Sequence, residues 1–232
     1  MPVDANSDES QPTRAALTYL KAIYQCGNGS VTTSQLADYL KVAPASVTAM
    51  SQKLAAANPP LVEYHKHHGM RLTPAGETLA LRMLRRHRLL ETFLVNFVGY
   101  SWDEVHEEAA MLEGSISARL EERLSQITGN PAFDPHGAPI PDANLAIPEQ
   151  VLVALNQLNP AQHGWVRRVT SDDAGMLRYL TELGIQIGGK VELVSVVPYD
   201  QTIQVRLSGN GHEVHTLGPI LSSVIMVEPI AA

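Results

Sequence analysis

Two short helical segments that follow each other closely constrain the fold of this chain most strongly. Residues 34–40 predict a short helix for which Ser34 is a candidate N-cap. A three-residue connection then leads to Pro44, a favoured first residue of a helix, and to a second helical segment over residues 44–57. Together with a preceding helix predicted over residues 11–26, this close spacing favours a helix-turn-helix.

The second of these helices carries its apolar residues on one face. Val47, Met50 and Leu54 recur at spacings of three and four, so the opposite face is small and polar. Such a face approaches base edges closely, with hydroxyls available to bases or phosphates and lysine to phosphates. The candidate DNA contacts on it are Ala45, Ser46, Thr48, Ala49, Gln52 and Lys53. On this segment alone, an ordinary amphipathic helix is the alternative.

A hairpin pattern follows the two helices. Short strands are predicted over residues 61–64 and 70–73, around a tip that contains Lys66 and three histidines. Adjacent histidines on a hairpin tip seldom converge on one metal ion, so we interpret the tip as phosphate-facing or solvated, with Lys66 as a further DNA contact. A helix-turn-helix followed by such a wing is typical of DNA-binding proteins.

The charge distribution favours DNA binding in the N-terminal part of the chain. The net charge of the 232 residues is −7, but residues 10–95 hold ten lysines and arginines against four acidic residues, a balance of +6. The first nine residues carry −3 and residues 96–232 carry −10. A basic front and an acidic back indicate that only one part meets phosphates, with chance asymmetry among solvated faces as the alternative.

Two long helices are predicted next. Pro74 opens one that runs to residue 98, and Ser101 with Glu104 has the spacing of a capping box that starts another over residues 102–127. Both carry apolar residues on nearly every turn, and no third long helix follows them in the sequence. Two such helices favour packing between subunits, so the sequence predicts a homodimer.

Histidines and carboxylates recur on these two helices at helical spacing. His87 and Glu91 are four residues apart, so they project from one face, and Glu113 follows His106 by seven residues on the same side of the next helix. Two imidazoles with one or two carboxylates on facing helices can form a nitrogen and oxygen site for a first-row divalent cation. The alternative is a surface ion-pair set with the neighbouring arginines Arg85, Arg86 and Arg88.

The last part of the chain changes in character. Residues 129–148 are rich in proline and glycine and predict a turn-laden linker. From about residue 155 onward, short alternating segments indicate strands, with one short helix at residues 177–185. A small five-stranded barrel is the simplest closure for strands this short.

Several segments together resemble the diphtheria toxin repressor family of iron- and manganese-dependent regulators over nearly the whole chain. They are YLKAIY, the helix-turn-helix, RLTPAGETLA, RRHRLLETFL, VHEEAAMLE and FDPHGAPIP, in this order. LRYLTELGI and IGGKVELV resemble the SH3-like barrel that family members share with ferrous-iron transport accessory proteins. The resemblance implies a mainly α protein with β structure: a winged helix-turn-helix over residues 1–74, a helical dimerisation and metal-binding domain over 75–147, and an SH3-like β-barrel over 148–232.

The resemblance also implies what the protein binds. A divalent metal ion sets the distance between two recognition helices of a dimer, which bind half-sites of a palindromic double-stranded operator about 34–36 Å apart. The family's ancillary site matches His87, Glu91 and His106, completed by groups of the barrel, for which Asp172 and Asp173 are the nearest candidates. Nitrogen and oxygen ligands without a cysteine suit Mn²⁺ or Fe²⁺.

The second, activating site of the family is not preserved. Thr18 stands where family members have Met or Asp, Ala110 where they have Cys or Glu, and Gly114 where they have His, so Glu113 is the only matching ligand. One carboxylate cannot hold Mn²⁺ or Fe²⁺ tightly, and we therefore expect one tight ion per subunit. A rewired second site would need other acids, for which the candidates are Glu108, Asp4, Asp8 and Glu9.

Other classes of function have less support. The sequence contains no HExxH helix, nucleophile elbow or glycine-rich phosphate loop, so we do not expect an enzyme. Cys26 is the only cysteine and no uncharged apolar window of about 18 residues exists, so we expect a cytoplasmic protein without membrane contact. The alternatives are a winged-helix DNA-binding regulator whose metal response is lost or rewired, and a protein that binds a partner or small effector through the barrel.

Overall fold

The chain forms two compact units, Met1–Leu84 and Arg85–Ala232. The structure is a computed structural model that describes residues 12–27, 29–65, 68–208 and 213–230. None of the helices within these ranges is long and apolar enough to span a bilayer.

Three helices and a hairpin make up most of the first unit. Their bounds are α1 Arg14–Gln25, α2 Thr33–Leu40, α3 Pro44–Ala55, β1 Val62–His65 and β2 Gly69–Leu72. The two strands pair antiparallel, with Val62 opposite Leu72 and Tyr64 opposite Met70. The predicted helix-turn-helix and wing are therefore confirmed, each element within a few residues of its predicted bounds.

Side-chain caps and one unusual backbone conformation determine where these helices begin and end. Thr13 accepts a backbone hydrogen bond at the start of α1. At α2 the cap is Thr32 and not the predicted Ser34, because Thr32 and Gln35 form a reciprocal capping box. Lys41 closes α2 with a left-handed backbone (φ 54°), which turns the chain toward α3.

The apolar faces of these helices and the hairpin form one core. Its buried side chains include Leu20, Ile23, Leu36, Val47, Leu54, Val62 and Met70. Val31, between α1 and α2, and Met70 of β2 exchange two backbone hydrogen bonds, of 2.8 and 2.9 Å. The wing is thus attached to the helices by main-chain pairing as well as by apolar packing.

A long helix follows the wing. Helix α4 spans Pro74–Phe93, so the boundary between the two units lies within it. A π-helical turn, Leu94–Val98, continues it, and Gly99 ends it with a positive φ of 90°. The helix predicted over residues 74–98 is confirmed, apart from the change of helical geometry in its last turn.

The second long helix of the prediction is wrong. Residues 102–127 contain two shorter helices, α5 Val105–Leu112 and α6 Ala118–Ile127. The break has a local cause, because Gly114 has a low helix propensity and Ser117 caps α6 by accepting a hydrogen bond from a backbone N–H. Two long helices are therefore not available, and α4 is the one long helix among the described residues.

A β-sheet domain completes the second unit. Its elements are β3 Val153–Ala154, β4 His163–Val169, α7 Ala174–Glu182, β5 Lys190–Val196, β6 Ile203–Leu207, β7 Val214–Leu217, α8 Pro219–Val224 and β8 Ile225–Pro229. The strands pair antiparallel in the order β3-β8-β4-β5-β6-β7. The predicted count of five strands is wrong, because the two residues of β3 are too few to give an alternating pattern.

One apolar core lies between the sheet and α7. Its buried side chains include Leu155, Val166, Leu177, Leu180, Val191, Leu193, Ile203, Val205, Leu217, Ile225 and Val227. Trp102, from the connection between α4 and α5, packs against the same core. The β-sheet domain is thus in direct contact with the segment that leads into α5.

The start of α4 lies very close to Leu61, the residue before β1, and a substitution at Gly76 tests this packing. A Cβ atom at Gly76 would lie 1.9 Å from the carbonyl oxygen of Leu61. Gly76→Ala therefore has to displace the helix start, although alanine in a helix is favoured over glycine by about 1 kcal/mol. We expect a Tm lower by several degrees in thermal unfolding followed by circular dichroism.

Gly29→Ala is the control for this substitution. A Cβ atom at Gly29 meets no heavy atom within 4 Å, so we expect its Tm to stay close to that of the wild type. A Gly76→Ala protein as stable as the Gly29→Ala protein would show that α4 does not approach Leu61 this closely.

Candidate metal centre and DNA-binding surface

Three side chains from α4 and α5 converge on one point. His87 and Glu91 lie one turn apart on α4, and His106 lies in the first turn of α5. Glu91 Oε1 is 2.9 Å from His87 Nε2 and 3.1 Å from His106 Nδ1, and these two nitrogens are 3.1 Å apart. The structure therefore brings together three predicted ligands, in an arrangement that can hold a metal ion. We call this group the trio.

If the imidazole of His87 is neutral, it has too few protons to donate to both of the carboxylates that it contacts. The second nitrogen of His87, Nδ1, lies 2.7 Å from Glu113 Oε2, so both nitrogens of this ring face carboxylates. A neutral imidazole has one N–H and can donate to only one of them. The other contact needs a further proton or a cation. A divalent ion held by the inward-facing lone pairs would satisfy it, so the donor set fits a metal.

Glu91 is the electrostatic centre of this group. Its side chain is 2% exposed, and burial alone would raise the pKa of its carboxyl group. The charge and hydrogen bond of His87, the hydrogen bond of His106 and the charge of His136 outweigh the burial and hold the pKa of Glu91 well below its usual range. Glu91 is therefore ionised at neutral pH and available as a ligand.

A second group of possible ligands shares Glu91. His136 Nδ1 lies 3.8 Å from Glu91 Oε2, and Asp134 belongs to the same group. The other nitrogen of His136, Nε2, donates to the backbone carbonyl of Trp102 at 2.7 Å, and the two rings stack. Because a carbonyl can only accept, Nε2 carries a proton, and Nδ1 is the nitrogen that faces Glu91.

Asp134 is already engaged by the backbone. Its Oδ1 accepts hydrogen bonds from the N–H groups of His136 and Ala138, at 2.8 and 2.9 Å, and its Oδ2 lies 3.6 Å from Arg88 Nε. Burial and the nearby charge of Glu91 raise the pKa of Asp134 to about 6. Asp134 therefore stabilises the turn that carries His136. Of the two groups of possible ligands, the trio thus has more donor atoms available for a metal ion.

The arginines of α4 hold the proline-rich segment and α6. Arg85 and Arg86 form ion pairs with Glu121 of α6, at 3.2 and 2.8 Å. Arg85 and Arg88 donate to backbone carbonyls of residues 139–141. The partners of these arginines thus include Glu121 and backbone carbonyls. These contacts of the arginines therefore do not explain why His87, Glu91 and His106 converge.

The β-sheet domain contacts the same proline-rich segment. The backbone N–H of Val169 on β4 donates to the carbonyl of His136 at 2.9 Å. At Gly137 (φ 79°) a Cβ atom would lie 1.8 Å from the carbonyl oxygen of Arg167, so only glycine fits. The predicted linker is irregular, as expected, but this part of it is packed closely and positions His136.

Asp172 and Asp173 precede α7 and have different partners. Asp172 Oδ2 lies 3.4 Å from His106 Nε2, whereas Nδ1 of the same ring faces Glu91. Asp173 accepts a hydrogen bond from the N–H of Met176 and caps α7. Of the two predicted barrel residues, Asp172 thus reaches a histidine of the trio, and the carboxylate of Asp173 serves the helix.

Sequence reasoning missed His136 and Asp134. Regular spacing identifies ligands on helices, but it carries no signal for ligands on a turn, and the composition there predicts a linker. The available signal was local. An aspartate two residues before a histidine, followed by Gly137, predicts an Asx turn that orients the histidine.

The predicted DNA-binding face of α3 lies at the surface of the first unit. Its exposed members are Ala45, Ser46, Ala49, Gln52 and Lys53. Thr48 is half-buried, and its hydroxyl donates to the carbonyl of Pro44 at 3.1 Å, which leaves the hydroxyl oxygen as an acceptor. Lys66 lies outside the described residues.

A winged helix in a chain with a buried histidine–carboxylate group defines a DNA-binding protein of a metal-responsive class. Three family profiles match the chain. They are "Iron dependent repressor, N-terminal DNA binding domain" over residues 13–70, "Iron dependent repressor, metal binding and dimerisation domain" over 73–142, and "FeoA domain" over 153–229.

Similar proteins extend over most of the chain. The iron-dependent repressor IdeR of Mycobacterium leprae is 28% identical over 91% of this chain and 96% of its own. The HTH-type transcriptional regulator MntR of Lysinibacillus sphaericus is 32% identical over 50% of this chain and 83% of its own. A solved manganese-dependent transcriptional repressor in complex with manganese has a TM-score of 0.85 and 35% identity, over 93% of this chain and 100% of its own.

The chain therefore belongs to the diphtheria toxin repressor family of iron- and manganese-dependent transcriptional regulators. This family consists of transcriptional repressors and not of enzymes. The family resemblance, the fold class and the expectation that the protein is not an enzyme are confirmed.

Substituting the two histidines of the trio tests the metal centre. We expect His87→Ala and His106→Ala to abolish the rise in Tm that Mn²⁺ produces in the wild type, because each removes one of few nitrogen ligands. Saturation to 100 times Kd stabilises a protein by about 2.7 kcal/mol, which thermal unfolding detects easily. Calorimetric titration should find close to one tight ion per chain in the wild type and none in either variant.

His163→Ala, on strand β4, is the control and should keep the response to Mn²⁺. Both trio variants should stay folded without metal, because apolar residues and the arginine contacts hold the same helices. Full Mn²⁺ stabilisation in both variants would locate the metal elsewhere, and unfolding of both would mean that these histidines are structural.

Proposed function

We propose that this protein represses transcription by binding a palindromic double-stranded operator as a homodimer when Mn²⁺ or Fe²⁺ is bound. The observation that carries the proposal is the convergence of His87, Glu91 and His106 in a winged-helix protein. Relatives named for iron or manganese dependence support the choice of metal. The domains we assign are residues 1–74 for DNA binding, 75–147 for dimerisation and metal binding, and 148–232 for the SH3-like barrel.

The proposed ligand atoms are His87 Nε2, Glu91 Oε1 and His106 Nδ1. A bound divalent ion supplies positive charge that neutralises the buried carboxylate. Nitrogen and oxygen donors without a thiolate suit Mn²⁺ and Fe²⁺, and metal availability decides between them, because affinity alone favours later metals of the first row. Ala110 and Gly114 carry no ligand atoms in their side chains, so we propose one tight ion per subunit.

Exposed apolar residues on the helices of the second unit are in keeping with a dimer. They lie at the end of α4, on α5 and on α6, and are Phe97, Val98, Met111, Leu120 and Ile127. Large apolar side chains that stay exposed on helices are typical of a surface that another protein covers. The family profile that matches these helices is named for dimerisation as well as for metal binding. We therefore propose that a second copy of the chain covers them.

Helix α3 is the proposed recognition helix. Its exposed face is small or polar, so its backbone can approach the major groove, where Thr48 and Gln52 reach base edges. Lys53 and Lys66 are proposed to contact phosphates. The positive balance of residues 10–95 favours the same part of the chain. Such a repressor acts in the cytoplasm, and a chain with one cysteine suits that reducing compartment.

A winged-helix regulator with a lost or rewired metal response is the second candidate. Ala110 and Gly114 replace ligands of the family's activating site, and their side chains cannot coordinate an ion. Asp134 and His136 form a second group of possible donors that shares Glu91 with the trio, as a rewired site would. Under this alternative, DNA binding no longer depends on Mn²⁺ or Fe²⁺.

The metal dependence of DNA binding separates the two candidates. We expect the affinity for operator DNA to rise by about 5- to 150-fold when Mn²⁺ or Fe²⁺ replaces a chelator, which is the range of typical coupling between two sites. Fluorescence anisotropy under anaerobic conditions measures it, with His87→Ala as a variant that should not respond. Equal affinity in chelator and in metal would reject the metal-dependent proposal and favour the alternative.

Lys53→Ala tests the contact between α3 and the phosphates. We expect weaker binding to the operator and to unrelated DNA alike, with the slope of log K against log salt reduced by about 2, one for the Lys53 of each subunit. Thr48→Ala should instead relax the base preference at one position of each half-site. Lys190→Ala, on β5, removes the same charge and should have no effect. A loss confined to the operator sequence in Lys53→Ala would contradict a phosphate contact.

A further inference from the structure

Both histidines of the trio have a carboxylate behind the ring, at the nitrogen that does not face Glu91. Glu113 lies behind His87, and Asp172 lies behind His106. We propose that Glu113 is a positioning residue and not a metal ligand: it accepts the Nδ1–H of His87 and thereby directs the lone pair of Nε2 into the metal centre. This inference rests on the site proposed above and gives a different role to a residue that the sequence predicts as a ligand.

The geometry gives the two nitrogens of His87 separate tasks. Nδ1 is 2.7 Å from Glu113 Oε2. Nε2 is 2.9 Å from Glu91 Oε1 and 3.1 Å from His106 Nδ1. A proton on Nδ1 makes the first contact a charge-assisted hydrogen bond and leaves a lone pair on Nε2, where the other donors converge. Either single proton leaves one carboxylate facing a lone pair of this ring. With the proton on Nδ1, that carboxylate is Glu91, which also has His106 Nδ1 at 3.1 Å and where a bound cation would lie. With the proton on Nε2, it is Glu113, and an N–H occupies the point at which the other donors converge.

The position of Glu113 on its helix requires such a partner. Glu113 is the C-cap of α5, where the helix dipole disfavours a negative charge. Its side chain is 4% exposed and that of His87 is 5% exposed, so water does not solvate the carboxylate. A buried carboxylate is costly unless it is paired and hydrogen-bonded. The Nδ1–H of His87 supplies one such bond.

Direct coordination by Glu113 conflicts with the geometry. Its carboxylate contacts the trio at the far nitrogen of His87, and the atoms that lie within reach of one another belong to His87, Glu91 and His106. One ion cannot bind both nitrogens of an imidazole ring, because their lone pairs point away from each other. Metal-binding histidines commonly donate their second N–H to a carboxylate, and the 2.7 Å distance between His87 Nδ1 and Glu113 Oε2 fits that arrangement.

Asp172 has the corresponding position for His106. Its Oδ2 is 3.4 Å from Nε2, whereas Nδ1 of the same ring is 3.1 Å from Glu91 Oε1. The side chain of Asp172 is 66% exposed, so water competes for this longer contact. Asp172 therefore orients His106 less firmly than Glu113 orients His87. The two histidines present different nitrogens to the metal centre, Nε2 of His87 and Nδ1 of His106.

Two variants of Glu113 distinguish positioning from coordination. Glu113→Gln keeps an oxygen that can accept the Nδ1–H, whereas Glu113→Ala removes the acceptor. Glu107→Gln changes an exposed glutamate of the same helix and is the matched control. The tautomer of His87 is read from its nitrogen NMR shifts in the metal-free, full-length protein at alkaline pH, with His87→Ala to assign the signal. Calorimetry measures the affinities for Mn²⁺ and Co²⁺, and absorption spectroscopy reports the Co²⁺ ligand set.

We expect Glu113→Gln to keep the Nδ1–H tautomer and to lose a few-fold in metal affinity. Glu113→Ala should give a mixture of tautomers and lose about 10–100-fold, the usual cost of removing the outer partner of a ligand. The absorption spectrum at Co²⁺ saturation should be the same in both variants and in the wild type, because the ligands do not change. Glu107→Gln should match the wild type in every measurement.

Three results would overturn the proposal. The first is a Co²⁺ spectrum that changes in Glu113→Gln, because it would indicate a lost ligand. The others are an unchanged His87 tautomer in Glu113→Ala and an Nε2–H tautomer in the wild type. If Glu113→Ala does not fold, the spectrum of Glu113→Gln and the wild-type tautomer decide. Failure of the proposed function is distinguishable, because the tautomer is measured without metal and without DNA.

Discussion

The buried carboxylate of Glu91 is the group on which the arrangement of the candidate metal centre depends. Moving an ionised carboxylate out of water costs several kcal/mol unless charged or hydrogen-bonding partners replace the water. Glu91 has two imidazoles at Oε1 and a third near Oε2, and these come from α4, from α5 and from the proline-rich segment that carries His136. All of these segments have to be in place for the carboxylate to be satisfied, so one residue couples three parts of the chain.

The surrounding contacts hold these segments in position. Arg88 donates to a carbonyl of the proline-rich segment, and the N–H of Val169 on β4 donates to the carbonyl of His136. Gly137 allows the two backbones to approach closely, since any Cβ atom there would overlap the chain of β4. A site whose side chains are fixed in this way loses little conformational entropy when an ion binds, and the surplus appears as affinity.

The chain keeps the architecture of its family, but its residues differ at several ligand positions that the family resemblance implies. Ala110 and Gly114 remove donor atoms from one of the two sites that the family resemblance implies, and Glu113 is turned toward His87. We therefore propose that the donor atoms that converge around Glu91 carry most of the capacity for metal binding. The same change explains why residue matching alone assigns Glu113 to a site, whereas its contacts suggest that it acts through a histidine.

Local spacing was sufficient to predict much of this protein. Residues four apart share one face of a helix in any tertiary context, so His87 and Glu91 could be paired from the sequence, and alternation with a turn predicted the wing. The interruption between α5 and α6 and the two-residue strand β3 are too short to produce a periodic signal. The sequence by itself determined which donor types are available and on which helix faces they lie. Only the tertiary structure decided that His136 approaches Glu91 and which nitrogen of each ring faces it, because those roles depend on distances between residues far apart in the chain.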